Sequence, residues 1–342
     1  MFIEELDSFR KTCDTYIAGG ALKEYLKDVC SENCIQKYID TFIRHSASGK
    51  RLRAYLVKLG YELCGKKCDE RIIPVSLSYE LFQTGVLVHD DIIDNSRTRR
   101  FKPAMHVELG DNHNGVSKAI CTGDMGLMCA LDIIEASDYP DNIKSACIRH
   151  QNRVFVSTIA GELKDIELSE SDEYAMDDVI EMYSLKTAQY TISGPLVLGA
   201  ILSDMSTDII QELSQFGKYV GIAFQIRDDI LGIFGDESKV GKPVISDLHE
   251  GKKTVLSAHF CENACDNDKK TFETIYGNSQ STAEDLEKIR NMFISSGTLD
   301  FANSECKNYT DKAAKILEKL NVTQESKVLL YELLEYMTSR NT

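Results

Sequence analysis

Proline is almost missing from this sequence: five occur in 342 residues, and long stretches run without proline or paired glycines. Because proline removes a backbone donor and clashes with the preceding turn, its scarcity leaves helices free to propagate. Apolar residues recur accordingly at helical spacing. Ala313, Ile316, Leu317 and Leu320 stand at i, i+3, i+4 and i+7, one stripe facing a core. Alternating strand patterns are scarce, so the expected fold is all-α. Breaks are predicted at Ser46 to Gly49, Asn95 to Pro103, Asp111 to Gly115, and along a polar connection from Gly235 to Lys253. Ser281 with Glu284 predicts a capping box for a helix that Gly297 ends. No fixed-period repeat or low-complexity linker divides the chain, so the simplest organisation is a single domain over residues 1–342, with roughly a dozen helices.

The residues are 43% hydrophobic and 27% charged, enough to bury a large core and unlike the make-up of disordered chains. A formal charge of −15 argues against a nucleic-acid partner, since phosphate backbones are held by clustered Lys and Arg. The eleven cysteines include the pairs Cys30/Cys34, Cys64/Cys68 and Cys261/Cys265, whose three-residue gaps differ from common zinc-thiolate patterns. No basic segment followed by an apolar core opens the chain. The longest apolar run, near Gly194 to Leu202, falls short of the roughly 20 residues that span a bilayer. The expectation is a cytoplasmic protein with reduced thiols and no membrane span.

Two acidic clusters carry the chemistry. His89-Asp90-Asp91-Ile92-Ile93-Asp94 closes an apolar stretch that begins near Leu77. On a helix Asp90 and Asp94 point the same way, one turn apart, with Asp91 about 100° round the axis. At roughly 4 Å and an effective dielectric near 20, two like charges repel by about 4 kcal/mol, so such a pair beside an apolar wall calls for a cation. Hard oxygen donors suit Mg²⁺, which shares its shell with water and substrate phosphates. Asp228-Asp229-Ile230-Leu231-Gly232 repeats the arrangement after the apolar run Val220 to Ile226. One acidic helix tip alone could be a solvated end; two suggest a polar mouth above an apolar cavity. Basic residues flank the first cluster, as Gly49-Lys50-Arg51-Leu52-Arg53 and Arg97-Thr98-Arg99-Arg100. They could be salt-bridge partners for the acids, or they could hold a diphosphate without metal, through arginine forks and a lysine point charge.

Together with Lys186-Thr187 and Phe224-Gln225-Ile226-Arg227-Asp228-Asp229, these segments resemble the trans-isoprenyl diphosphate synthase (polyprenyl synthetase) family, the geranylgeranyl diphosphate synthases most of all. The resemblance runs from about Gly49 to Lys252. It implies an isoprenoid synthase-type helical bundle around a deep central cavity, a homodimer, three Mg²⁺ ions with substrate bound, and head-to-tail condensation of isopentenyl diphosphate with an allylic diphosphate. By this resemblance Asp90, Asp94 and Asp228 bind the metal ions, with Asp91, Asp229 and Asp165 supporting them. Arg99, Lys186, Gln225 and Lys242 contact the allylic diphosphate or its metal shell; Lys50, Arg53, Gln83 and Arg100 hold isopentenyl diphosphate. Thr187 lines the reaction centre and Lys252 helps close the site.

Three positions depart from the family pattern. Gly232 stands where another Asp is usual, Glu162 where Gln is usual, and Phe101 where Gly is common after Arg100. Product length should depend on residues below Asp90 on its helix. Gly85 and Val86 are small and lie about 6 to 7.5 Å down the axis, with Phe82 at roughly 12 Å. Gly85 could instead serve only to let two helices approach. Farnesyl-specific relatives tend to carry an aromatic ring at this level, so products beyond C15 are expected, C20 first. A class I terpene cyclase would lack the second basic site, and an inactive regulatory subunit would be expected to have lost Asp90 or Asp94.

Overall fold

A computed structural model describes residues 1–29, 33–47, 49–171, 173–235 and 245–339. Helix dominates, as the proline count predicts. Among the described residues the strands are confined to Thr98–Arg99 and Lys102–Pro103, which pair antiparallel as one tight hairpin. No described helix is long and apolar enough to cross a membrane.

The chain forms two compact units. The first comprises residues 1–152, 195–210 and 322–326; the second comprises 153–194, 211–321 and 327–342. At the centre of the first lies the Ile72–Ile93 helix, buried all round from Val75 to Phe82 and along one face through Gly85 and Val88 to Asp91. A helix apolar all round belongs inside a core, and this one packs against the His113–Glu135 and Leu52–Glu62 helices. One of its buried polar groups joins a short chain of hydrogen bonds: the Ser78 hydroxyl donates to Gln151 Oε1 at 3.0 Å, and the Gln151 amide donates to the Ala130 carbonyl at 2.9 Å. Such pairing is what keeps interior polar atoms from costing stability.

The second unit is built around the inner face of the Thr207–Phe234 helix. Ile222, Ala223, Ile226, Ile230 and Ile233 pack into a core with Val179, Leu248, Leu256 and Ile289. Phe260, Phe272 and Phe293 close it as a ring cluster, with centroids 5.0 to 5.9 Å apart. In the Thr298–Lys319 helix Ala313 and Leu317 are buried, as is the capping Leu320, with Ile316 half-buried, as the periodicity predicts.

Local punctuation differs from expectation in three places. The capping box of the Ala283–Ser295 helix uses Thr282 and Asp285, one residue later than Ser281 and Glu284: Asp285 N–H donates to Thr282 Oγ1 at 3.3 Å, and Thr282 N–H to Asp285 Oδ2 at 3.0 Å. Ser281 is diverted, its hydroxyl donating to the Ile275 carbonyl at 2.7 Å. Gly297 does end the helix, at φ 75°, a left-handed conformation that glycine adopts without steric cost. The Asp111 to Gly115 break is shorter than predicted, because Asn112 caps a helix that starts at His113 by accepting from Gly115 N–H at 3.1 Å. The connection from Gly235 to Lys253 contains a helix, Ile245–Glu250, whose Leu248 is fully buried. Residues 236–244 of that connection, Lys242 included, lie outside the described residues.

Candidate active site

In the first unit the acidic tip is already partly neutralised. Asp90 lies in the last turn of the Ile72–Ile93 helix, and Asp94 caps it, exposed, its N–H donating to the Asp90 carbonyl at 2.9 Å. Arg99 reaches back with a forked guanidinium: Nη2 donates to Asp90 Oδ2 at 2.8 Å, and Nε to Asp91 Oδ1 at 2.8 Å. Burial raises the Asp91 carboxyl above its ordinary value, and the Arg99 contacts oppose that rise. His89 has its Nε2 3.3 Å from the Ile120 carbonyl and 3.3 Å from Asp124, contacts that serve hydrogen bonding.

Arg99 is positioned by the hairpin, whose two turn residues, Arg100 and Phe101, have φ of 52° and 62°. A two-residue hairpin turn with both φ positive favours Asn-Gly, and a non-glycine residue there costs roughly 1–2 kcal/mol. The glycine common in the family would relieve that cost. Phe101, 87% exposed, gains no burial in return.

Beside the Asp91–Arg99 pair opens a pocket whose walls include Arg44, Arg51, Gln83, Arg99, Arg100 and Lys102. Burial lowers the pKa of Arg100, and the charges of Arg51, Arg99 and Arg53 lower it further against the opposing pull of Glu80. Its walls also carry Glu80 and Asp91, so the cations outnumber the acids, and guanidinium groups gathered in one concavity are able to take an anion. Gln83 and Arg100 line it as expected. Among the described residues its walls do not include Lys50 or Arg53, which lie on either side of Arg51 in the sequence. Sequence reasoning overlooked Arg51, which is 2% exposed and fixes the start of the Leu52–Glu62 helix. It holds Asp14 at 3.0 Å and Glu80 at 3.4 Å and donates to the Ser46 carbonyl at 2.6 Å.

Lower on the same helix, Phe82 is fully buried, while Val86 is half-buried. The space beside Gly85 is filled from the neighbouring helix: a Cβ there would stand 2.8 Å from Leu127 Cδ2 and 2.9 Å from the Gly123 carbonyl oxygen. Close helix approach accounts for this glycine.

In the second unit, Lys186 and Thr187 lie in a π-helical segment, Ser184–Ser193, a wider winding often found at functional sites. Lys186 Nζ contacts Asp165 Oδ2 at 2.5 Å and Glu162 Oε2 at 2.8 Å. Burial alone would lower the pKa of this amine, but the two carboxylates outweigh it and hold the pKa well above its ordinary value. The departure at Glu162 therefore supplies Lys186 with a second counter-charge. Thr187 Oγ1 donates to Gln225 Oε1 at 2.9 Å, and Gln225 Nε2 donates to Asp229 Oδ1 at 3.0 Å. Tyr183, buried and without a motif to announce it, donates its hydroxyl hydrogen to Asp229 Oδ2 and accepts from Val255 N–H at 3.0 Å. Burial, with the nearby charges of Asp228 and Asp247, pushes the Asp229 carboxyl up to about 7 against the hydrogen bonds from Tyr183 and Gln225. Asp228, one residue earlier, is exposed. Lys252 is half-exposed and pairs with Glu250 at 2.8 Å.

Among the described residues no three His, Cys, Asp or Glu side chains form a ready-made metal cluster. Oxygen-only donors offered singly or in pairs suit Mg²⁺, which keeps several waters and is usually held by one or two carboxylates plus substrate phosphates.

The Polyprenyl synthetase family model matches residues 33–293. The geranylfarnesyl diphosphate synthase of Aeropyrum pernix is 32% identical over 299 residues, covering 86% of this chain and 91% of that protein. The geranylgeranyl diphosphate synthase of Saccharolobus solfataricus is 31% identical over 290 residues, 84% of each chain. In three dimensions, the geranylgeranyl pyrophosphate synthase of Corynebacterium glutamicum, crystallised with isoprenyl diphosphate and magnesium, aligns with a TM-score of 0.89 at 27% identity, over 98% of this chain and 99% of that one. With acidic helix tips, an arginine-lined pocket and a lysine held in a π-helical turn, the chain belongs to the polyprenyl synthetase family and is a prenyltransferase.

Proposed function

We propose that the protein condenses isopentenyl diphosphate head to tail with an allylic prenyl diphosphate, giving pyrophosphate and an all-trans product of C20 or longer. The observation that carries this reading is the pairing, within one unit, of an acidic helix tip with an arginine-lined pocket that shares Asp91 and Arg99 with it. One anion can be gripped through metal and the other through guanidinium groups alone.

In this reading Asp90 and Asp94 would hold Mg²⁺ for the allylic diphosphate and Asp228 would hold a further ion, three in all with substrate bound. When bound, Mg²⁺ neutralises charge on the leaving diphosphate as a Lewis acid. Arg99 and Lys186 hold that diphosphate, with Gln225 and Lys242 contributing to its shell, while Gln83, Arg100, Lys50 and Arg53 orient isopentenyl diphosphate. As the allylic C–O bond breaks, these preorganised cations stabilise the charge that develops on oxygen. The isopentenyl double bond forms the new C–C bond, and the proton it then loses passes to the departing pyrophosphate. Thr187, hydrogen-bonded to Gln225, borders the reacting atoms; Asp165 and Glu162 fix Lys186. Lys252 closes the site against water, which would otherwise quench a carbocation. Val86 and Phe82 set the depth available to the growing tail, with Gly85 permitting the helix approach that shapes it.

The departures at Glu162 and Gly232 would favour an inactive regulatory subunit if they left charges or space uncompensated. Glu162 pairs with Lys186, and the space beside Gly232 is occupied by Asp247, which supports a competent enzyme. The whole chain, residues 1–342, acts as one synthase in this reading, in the cytoplasm and as a homodimer. Exposed apolar residues support the dimer: Ile120 and Met128 on the His113–Glu135 helix, and Val156, Ile159 and Leu163 at i, i+3 and i+7 on the Asp141–Glu170 helix. The test is incubation with isopentenyl diphosphate and C5, C10 or C15 primers, with and without Mg²⁺, and sizing of the dephosphorylated products. Mg²⁺-dependent products of C20 or longer are expected. Hydrocarbon release from an allylic substrate alone would indicate a cyclase, and no turnover with any primer would indicate the regulatory subunit.

A further inference from the structure

Tyr183 ends the Met176–Tyr183 helix just before the π-helical segment that carries Thr187, and both side chains reach the Thr207–Phe234 helix. There they meet Asp229 and Gln225, themselves one turn apart, so that two facing helical turns are joined by a chain of hydrogen bonds. The direction of that chain is set at one end. The first N–H groups of a helix have no acceptor within it. In the Val255–Asn263 helix the capping Thr254 accepts from the Ser257 N–H at 3.3 Å, which leaves the Val255 N–H to the Tyr183 hydroxyl oxygen at 3.0 Å. An amide N–H only donates, so the phenol oxygen accepts there and its single hydrogen goes to Asp229 Oδ2. An ionised carboxylate only accepts, so Gln225 presents its amide nitrogen to Asp229 Oδ1 at 3.0 Å and turns its carbonyl oxygen to Thr187. That oxygen takes the Thr187 hydroxyl hydrogen at 2.9 Å.

We propose that Tyr183 is a positioning residue for prenyl transfer: acting through Asp229 and Gln225, it keeps the Thr187 hydroxyl hydrogen on Gln225, so that Thr187 offers the reacting carbon only oxygen lone pairs. The inference rests on the functional reading above, in which Thr187 borders the reacting atoms and positive charge develops on the allylic carbon. A lone pair turned to such a carbon stabilises it and a hydroxyl hydrogen opposes it; a chain fixed in the folded protein makes that choice before substrate arrives. Neither Tyr183 nor Val255 touches substrate in this account. The competing role for Tyr183 is structural: it is 1% exposed, packs into the core with Val179, Ile226 and Leu256, and satisfies the start of a helix. A structural role alone predicts lower stability without the hydroxyl and ordinary turnover by whatever protein stays folded.

The full-length protein is assayed for chain elongation with Mg²⁺, in single turnovers and in the steady state, and stability is read from urea midpoints. Tyr183→Phe removes the hydroxyl alone and is expected to slow the single turnover about tenfold, with KM for both substrates within about twofold of wild type. It also leaves the Val255 N–H without an acceptor, which should lower the urea midpoint. Adding Val255→Pro removes that N–H at the first position of a helix, where proline is tolerated, and Thr254 before it is extended, at φ −123° and ψ 170°, as a residue preceding proline must be. The double variant should regain the midpoint and stay slow, which a purely structural role does not allow. In a Thr187→Val background no hydroxyl is left to orient, so Tyr183→Phe should cost no more than about a further twofold. A folded Tyr183→Phe protein, or a double variant, that turns over like wild type overturns the proposal. So does a loss of about tenfold that persists in the Thr187→Val background. If wild type itself makes no prenyl product from any primer, the functional reading fails and this inference with it, an outcome distinct from the failure of Tyr183 alone.

Discussion

The two acidic clusters are built alike in sequence, one in the last turn of its helix and the other more than a turn before the end, and they are neutralised in opposite ways. At Asp90 and Asp91 the negative charge is met by a guanidinium, with Arg99 forked across both carboxylates. At Asp229 it is met by a phenol and an amide, and burial leaves the carboxyl with a pKa of about 7. A fixed cation keeps its partners ionised over the whole physiological range, whereas neutral donors leave a buried carboxyl able to take up a proton near neutrality. The first tip is thus a standing charge pair that incoming substrate and metal must rearrange. The second can take up a proton near neutrality.

The largest expected effect separates the tips by chemistry. Asp90→Ala should lower kcat/KM for elongation by about 10³-fold, whereas Asp229→Asn, which mimics the protonated state, should cost about tenfold or less. Equal losses in steady-state assays would break the comparison. Next in size is stability without metal. Arg99→Leu should destabilise the protein by about 3 kcal/mol in urea melts, because it leaves the buried Asp91 without its cation, and adding Asp91→Asn should recover most of the loss. A third measurement concerns pH. The Asp229 carboxyl has its folded pKa raised from 3.8 to about 7, so the native state binds a proton that the unfolded chain releases. Stability from this group is therefore full at acid pH and lost as pH rises, on the order of 2 kcal/mol between pH 5 and pH 7 in metal-free protein. Asp229→Asn should flatten that slope, and a slope unchanged in the variant would assign it elsewhere. The smallest effect concerns the hairpin that aims Arg99: Phe101→Gly should stabilise the protein by about 1 kcal/mol, read as an increase in the urea midpoint.

Much of this was legible in the residues alone. Helical content followed from proline scarcity, and both acid-bearing helices from an apolar run before paired aspartates; the first pair does stand in the last turn of its helix, whereas the second is followed by more helix, to Phe234. The salt bridge of Arg99 to the acids was one of two readings open for the basic segment; the pairings of Lys186 with Asp165 and Glu162 and of Thr187 with Gln225 were not legible, because each joins segments distant in sequence. Gly232 reads as a missing side chain, and nothing in the order of residues shows that Asp247 stands in the space beside it. Gly85 leaves two readings open, room for the substrate tail or a close approach of helices, and Leu127 and Gly123 beside it favour the second. Glu162 reads as an intruding charge until Lys186 is seen between it and Asp165. Capping slipped by one residue at Thr282 because Ser281 had a stronger claim elsewhere, the Ile275 carbonyl.

The sequence by itself determined the fold class, the family and which residue types bear the chemistry, since helix propensity, apolar spacing and short motifs are local properties. Tertiary structure decided how each charge is balanced, by Arg99 at Asp90 and Asp91 and by Tyr183 and Gln225 at Asp229. The reason is that electrostatic and steric energies depend on distance through space, and separation along the chain carries almost no information about that distance once helices pack.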